Sequence, residues 1–359
     1  MVYFEIMTLL DITKVFLPAT LAFITGIAIT PALSHYFYRY KMWKKRDRSL
    51  DTNSDAFKQI HKDKVAAELS TPSVGGIVIW ASVLISIGVI YLASVIFPSD
   101  LSFKLNFLSR SQTLVPLGIF IFGAMLGLVD DALEIHGFSR LTRDSKWYTW
   151  MKIACVLLIG LVAGLWFHSK LGISSIAIPF DGRLELGVFF VPFVMFLMLA
   201  VFSGGVIDGL DGLSGGVMAS IFMAFSAISF GHHQLDMAAL CAVIACSTLA
   251  FLWFNIPPAR FYMGETGMMA LTVTLGAIAV MTDSVLILPI AAFPLLLTSL
   301  SVILQKASRA LRGGKRVFKV APLHHHFEAI GWPKYKVTMR YWVISVVCAI
   351  ISTLISFIS

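Results

Sequence analysis

The stretch Gly76-Ile-Val-Ile-Trp-Ala-Ser-Val-Leu-Ile-Ser-Ile-Gly-Val-Ile-Tyr-Leu-Ala-Ser-Val-Ile-Phe97 contains no charged residue and no proline, and Pro98 closes it. A helix of about 20 such residues crosses a hydrocarbon core of roughly 30 Å. A helix on a water-soluble protein would turn charged or polar residues to one side, whereas this one carries charge on no face. The bilayer is its natural solvent.

Similar runs recur on either side of it. Apolar stretches bounded by charged or turn-forming residues lie near 15-37, 73-97, 112-131, 149-167, 187-203, 212-230, 237-254, 266-282, 285-306 and 337-358. The expected fold is an all-α polytopic membrane protein, a bundle of about ten transmembrane helices forming a single domain over 1-359. The 359 residues are 58% hydrophobic and 13% charged, with a mean hydropathy of +0.84, which excludes a soluble enzyme or binding module. The segment Ile173 to Leu186 alternates around Asp181-Gly182 and reads as a short hairpin on the outer side. Gly123/Gly127 and Gly160/Gly164 have the spacing that lets helices approach closely, within the bundle or at a dimer face.

Charge orients the bundle. With ten spans, the loops near 38-72, 130-148, 203-211, 255-265 and 306-340 share one side and hold 22 of the 28 Lys and Arg residues, against Lys104, Arg110, Lys170 and Arg183 in the opposite loops. The positive-inside rule makes the basic loops cytoplasmic and puts both termini outside. The net charge of +8 therefore reflects topology rather than nucleic-acid binding, and the run Lys41 to Arg48 also suits anionic membrane lipids. Cys155, Cys241, Cys246 and Cys348 sit inside apolar runs without metal-type spacing and read as packing residues. Glu5 and Asp11, with no basic start or small-residue cleavage pattern, argue against a cleavable signal peptide.

Acidic residues are costly in such a chain, so their positions are informative. Asp130 and Asp131 end the third span, with Glu134 on the same helical face. Asp208 and Asp211 lie in Asp-Gly-Leu-Asp-Gly-Leu, Glu265 lies in Phe-Tyr-Met-Gly-Glu-Thr-Gly, and His324, His325 and His326 lie in Ala-Pro-Leu-His-His-His-Phe-Glu. All fall on the cytoplasmic side. Any one carboxylate could be a solvated or helix-capping residue, but Asp130, Asp131, Asp208, Asp211 and Glu265 together at one face point to a site. Converging carboxylates suit Mg²⁺, which prefers oxygen ligands and completes its shell with water and phosphate. Adjacent histidines in an extended chain point alternately, which favours phosphate or sugar contacts over a shared metal ion.

At these residues the sequence resembles the phospho-N-acetylmuramoyl-pentapeptide transferases, the MraY-type branch of the polyprenyl-phosphate N-acetylhexosamine-1-phosphate transferases. The likeness runs almost end to end. It rests on Thr71-Pro-Ser-Val-Gly-Gly76, on Asp130-Asp131, on Asp208 to Leu213, and on Asn255 to Gly267. Its most specific part is Gly314-Lys-Arg-Val-Phe-Lys-Val-Ala-Pro-Leu-His-His-His-Phe-Glu328. The resemblance implies transfer of phospho-MurNAc-pentapeptide from UDP to undecaprenyl phosphate, giving lipid I and UMP, in a bacterial inner membrane and as a homodimer. It also implies roles. Asp131 and Glu265 position Mg²⁺ on the diphosphate, and Asp130 binds or deprotonates the lipid phosphate for direct attack. Asp208, Gly209 and the Tyr262 ring hold uridine, and Lys146 contacts phosphate. Asp211, Asn255, Gln305, His324, His325 and His326 complete the site.

The chain departs from the family pattern at Glu265, where the family has Asp, and at Phe202 and Gly205, where it has Asn. It departs again at Glu68-Leu-Ser70 and at Met268. These departures keep a related GlcNAc-1-phosphate transferase in view. Two rivals fare worse. An aspartate-rich prenyltransferase of the UbiA type would show two Asp-x-x-x-Asp motifs and no histidine loop, and a lipid-linked sugar transporter would carry ionisable groups at mid-span.

Overall fold

The computed structural model describes residues 9–44, 70–109, 112–137 and 146–359, apart from the side chain of Lys146. The chain forms α1 (Leu9–Arg39), α2 (Gly76–Ile96), a short α3 (Asp100–Leu105), α4 (Leu114–Ile135) and α5 (Lys146–Leu171). Strands β1 (Ser175–Ile178) and β2 (Gly182–Glu185) follow, then α6 (Phe190–Ser203), a 3-10 turn at Gly204–Ile207, α7 (Leu213–Gly231), α8 (Leu235–Asn255) and α9 (Gly264–Met281). The chain ends with α10 (Leu288–Ala291), α11 (Phe293–Leu311), α12 (Leu323–Ala329) and α13 (Lys334–Ile358). The hairpin pairs Ser175 with Glu185 and Ile178 with Gly182, as the alternation predicts.

Nine helices among the described residues are long and apolar enough to cross a membrane. The tenth expected span, 285-306, is interrupted at Ala292 and continues as α11, whose polarity is inverted. Thr298, Ser299, Ser301, Gln305 and Ser308 face inward, while Leu300, Ile303 and Leu304 face outward. Lipid solvates the outer face, and the polar groups find partners within the protein. Just before this segment Asp283 meets the hairpin: its Oδ1 accepts the Ala177 amide at 3.1 Å, and its carboxylate pairs with Arg183. At the far end of α11, Gln305 and Ser308 hold the loop that follows.

Helices α7, α8 and α9 form the centre, lined by residues such as Phe222, Phe225, Ile244, Phe251 and Leu275 with no exposed surface. Helices α1, α5, α6 and α13 surround them and turn residues such as Trp150, Val162, Phe196, Val343 and Ile350 outward. Such a continuous apolar exterior suits lipid rather than water. Gly123 packs on Val273 and Ala270 of α9, and Gly160 packs on Met195 of α6. Both small-residue pairs therefore serve packing within the bundle, which makes a dimer face unnecessary to explain them.

Candidate active site

The polar motifs meet at the end of the bundle opposite the hairpin, around the strap 255–267. Asn255, buried at the end of α8, accepts the Gly212 amide at 2.9 Å and donates through Nδ2 to the Phe261 carbonyl at 2.8 Å. It thereby ties the Asp208–Gly212 loop to the strap. The Asp211 carboxylate accepts the Ala259 amide at 3.4 Å, and Thr338 Oγ1 donates to the Asp211 carbonyl at 3.3 Å. The Thr71–Gly76 turn packs on the other side. There Tyr262 donates its amide to Pro72 at 2.8 Å, and Gly75 and Gly76 donate to the Tyr262 and Met263 carbonyls, both at 2.8 Å.

Asp131 sits beneath this strap. It is fully buried at the end of α4 and accepts the backbone amides of Glu265 at 3.2 Å and Thr266 at 2.9 Å. A carboxylate on the free amides of a helix start is a favourable pairing, both as a cap and with the helix dipole. Gly264 makes it reachable: its φ is +71°, and a Cβ there would lie 2.5 Å from Asp131 Oδ2. At Gly127 a Cβ would overlap the Glu265 backbone, so α4 can approach α9 this closely only with glycine there.

Asp130 points to α5. Tyr148 Oη donates to Asp130 Oδ1 at 2.5 Å, and Lys152 Nζ donates to Oδ2 at 3.2 Å. The Lys152 ammonium is also 3.8 Å from Glu265 Oε1. Glu265 keeps 36% of its side chain exposed, against 4% for Asp130. Glu134 is paired with Lys44. This corner thus brings together Asp130, Asp131, Glu134 and Glu265 with two lysines. Tyr148 and Lys152 did not figure among the expected site residues. Lys152 was nonetheless visible as a charge inside the predicted span 149-167, where a charge calls for a functional explanation.

A second cluster gathers around Asp208, which accepts Ser214 Oγ at 2.7 Å. A Cβ on Gly209 would overlap His324 Nε2 and lie 3.0 Å from His325 Nε2, so the histidine rings rest directly on this glycine. The three histidines are not in an extended chain, as the sequence reading assumed, but on the short helix α12, begun by Pro322. Consecutive helical residues diverge by about 100°, yet the His324 and His325 rings stay in edge-on contact with centroids 4.3 Å apart, and only His326 turns away, toward Phe318. His325 Nδ1 pairs with Glu328 Oε2 at 2.6 Å, while His326 Nδ1 accepts the Lys319 amide at 3.2 Å on the Phe318 side. Burial and then the Lys319 charge push the His326 imidazole below its usual pKa.

Gln305 holds the loop carrying these histidines: Oε1 accepts the Val317 and Phe318 amides at 3.1 and 3.0 Å, and Nε2 donates to the Phe318 carbonyl at 2.9 Å. Gln305 and Asn255, expected to touch substrate, both spend their amide groups on clamping the chain. Lys146 opens α5, and its side chain lies outside the described residues, as do Glu68 and the second half of the Lys41 to Arg48 run. Among the described residues no three His, Cys, Asp or Glu side chains form a preset metal group.

Comparison with known proteins finds relatives along nearly the whole chain. Residues 113–283 match the family described as glycosyl transferase family 4. A phospho-N-acetylmuramoyl-pentapeptide-transferase of Clostridioides difficile is 34% identical over 359 residues, covering 97% of this chain and 100% of the relative. One from Chloroflexus aurantiacus is 30% identical, covering 95% and 89%, and one from Listeria monocytogenes is 34% identical, covering 79% and 83%.

Proposed function

The chain belongs to the phospho-N-acetylmuramoyl-pentapeptide-transferase family, and we propose that it moves phospho-MurNAc-pentapeptide from UDP to undecaprenyl phosphate, releasing UMP. One observation carries this reading at the level of chemistry. A carboxylate–lysine corner and the histidine-backed loop Asp208–Gly212 share the strap 255–267 at one end of a lipid-facing bundle. Joining a lipid phosphate to a water-soluble nucleotide sugar requires such a place.

Asp130, gripped by Tyr148 and Lys152, orients the lipid phosphate and takes its proton where one is present. A phosphate oxygen attacks the phosphorus bearing the sugar. The new P–O bond forms as the bond to the bridging oxygen breaks, and UMP leaves with that oxygen. Asp208, Gly209 and Tyr262 receive the uridine, and His324 and His325 back the same loop at Gly209. Lys146 and the basic residues of the 312–320 loop draw the anionic substrates in, and His326, accepting the Lys319 amide, steadies that loop beside them. Asn255, Asp211 and Gln305 act by fixing the loops that carry these groups.

The donor set fits Mg²⁺, which takes one or two carboxylates and completes its shell from phosphate and water. Glu265 is the accessible oxygen donor at the corner, while both Asp131 oxygens already accept amides, so Asp131 contributes through its remaining lone pairs and by holding Glu265 in place. When bound, the ion neutralises the diphosphate and stabilises the departing UMP.

The concentration of 22 of 28 basic residues in one set of loops supports a cytoplasmic active site in the bacterial inner membrane, with both termini outside. A homodimer follows from the family likeness. The test is UMP release by purified protein in a coupled assay. UMP should appear only when Mg²⁺, polyprenyl phosphate and UDP-MurNAc-pentapeptide are all present. Absence of UMP from the complete mixture would refute the reading.

A further inference from the structure

Lys152 lies within the membrane-spanning part of α5, and the residues from Ile153 to Phe167 that follow it carry no charge. A lysine there is costly unless its head is occupied. Its ammonium bridges two carboxylates from different elements, Asp130 Oδ2 at 3.2 Å from the end of α4 and Glu265 Oε1 at 3.8 Å from the start of α9. Its stem passes Tyr148, with Nζ 5.7 Å from the ring centroid, and the Tyr148 hydroxyl holds the other oxygen of Asp130. Lys44, the second cation of the corner, is already paired with Glu134. Asp131 below is tied to backbone amides.

We propose that Lys152 is a positioning residue of the transferase site. With Tyr148 it sets the separation of Asp130 and Glu265, and it occupies the place between them that a divalent cation takes over as the substrates load. Two carboxylates brought this close repel unless a positive charge stands between them. In the substrate-free protein Lys152 supplies that charge. When the cation arrives, the ammonium, 26% exposed at its side chain, gives up its longer contact to Glu265 and stays on Asp130. This inference rests on the transfer reaction proposed above.

The full-length protein in detergent tests it with Lys152→Met and Lys152→Arg, using Mn²⁺ as a spectroscopic probe in the absence of substrates. Loss of the competing ammonium should tighten Mn²⁺ binding by roughly tenfold in Lys152→Met. UDP-sugar affinity should stay within about twofold, and turnover should fall about a hundredfold or more. Lys152→Arg should keep wild-type Mn²⁺ affinity and recover part of the turnover. Mn²⁺ affinity in Lys152→Met equal to or weaker than wild type, or undiminished turnover, overturns the proposal. If Lys152→Met fails to fold, Lys152→Gln carries the same expectations. If the wild-type protein releases no UMP, the transfer reading falls, whereas the Mn²⁺ comparison still decides whether Lys152 holds the cation's place.

Discussion

Asp131 grips Glu265 by its backbone rather than by its side chain: the Glu265 amide donates to Asp131 Oδ1 at 3.2 Å, and the neighbouring Thr266 amide donates to Oδ2 at 2.9 Å. One carboxylate thus fixes the helix start from which the other reaches out. Asp131→Ala should lower stability by about 1 kcal/mol, as for a lost helix cap, and should also displace Glu265. Thermal unfolding in detergent would fall while turnover is almost lost. Wild-type stability in Asp131→Ala would remove the cap from the account.

Glu265 supplies charge at the cation site, so chemistry should matter more there than shape. Glu265→Gln abolishes turnover. Glu265→Asp keeps the charge on a shorter arm and retains some. The kcat of the two variants, measured at saturating Mg²⁺, separates the effects, and full activity in the Gln variant would exclude Glu265 from metal binding.

Gly127 and Gly88 make a matched pair. A Cβ at Gly127 meets the Glu265 backbone, while nothing lies within 4 Å of one at Gly88. Gly127→Ala should cost about 1–3 kcal/mol through overpacking and disturb the corner. Gly88→Ala should be neutral or slightly stabilising. Unfolding temperatures and UMP release of the two variants, compared side by side, check both statements.

Gln305 makes three hydrogen bonds to the loop before α12. Gln305→Ala should therefore weaken UDP-sugar binding through mispositioned histidines, raising KM more than it lowers kcat. Calorimetric titration with UDP-sugar and steady-state rates give the two readouts. An equal KM and a lower kcat would place Gln305 on the reacting groups instead.

His326 provides a pH dependence with a definite sign. Its folded pKa lies below the unfolded value near 6.5 because burial, and then Lys319, disfavour the imidazolium. Between those two values the unfolded loop binds more protons than the folded one. Its stability is therefore complete above about pH 6.5 and declines as pH falls through the folded pKa. Protonation also removes the acceptor that the Lys319 amide uses. Amide exchange at Lys319 should accelerate on acidification in the wild type and be insensitive to this titration in His326→Gln.

Much of this architecture could be read from the chain itself. Apolar runs located the helices, Asp181-Gly182 marked the hairpin turn, and Asp130, Asp208 and Glu265 stood out because carboxylates are rare near bilayer interiors. The limits have physical causes. Periodicity does not reveal the partner of a buried amide, so the loop-clamping bonds of Asn255 and Gln305 are legible only in the fold. Three histidines in a row gave no sign of α12, because a short helix depends on its packing rather than on its own propensity. Lys152 stands out in the sequence only as a charge inside a span, and its carboxylate partners emerge once the fold sets Asp130 and Glu265 beside it.

The most direct test is the mass of the lipid product formed by the wild-type protein from an equal mixture of UDP-MurNAc-pentapeptide and UDP-GlcNAc, with Mg²⁺ and undecaprenyl phosphate. The account predicts undecaprenyl phosphate extended by phospho-MurNAc-pentapeptide. A product extended by phospho-GlcNAc, or no lipid product, would contradict it.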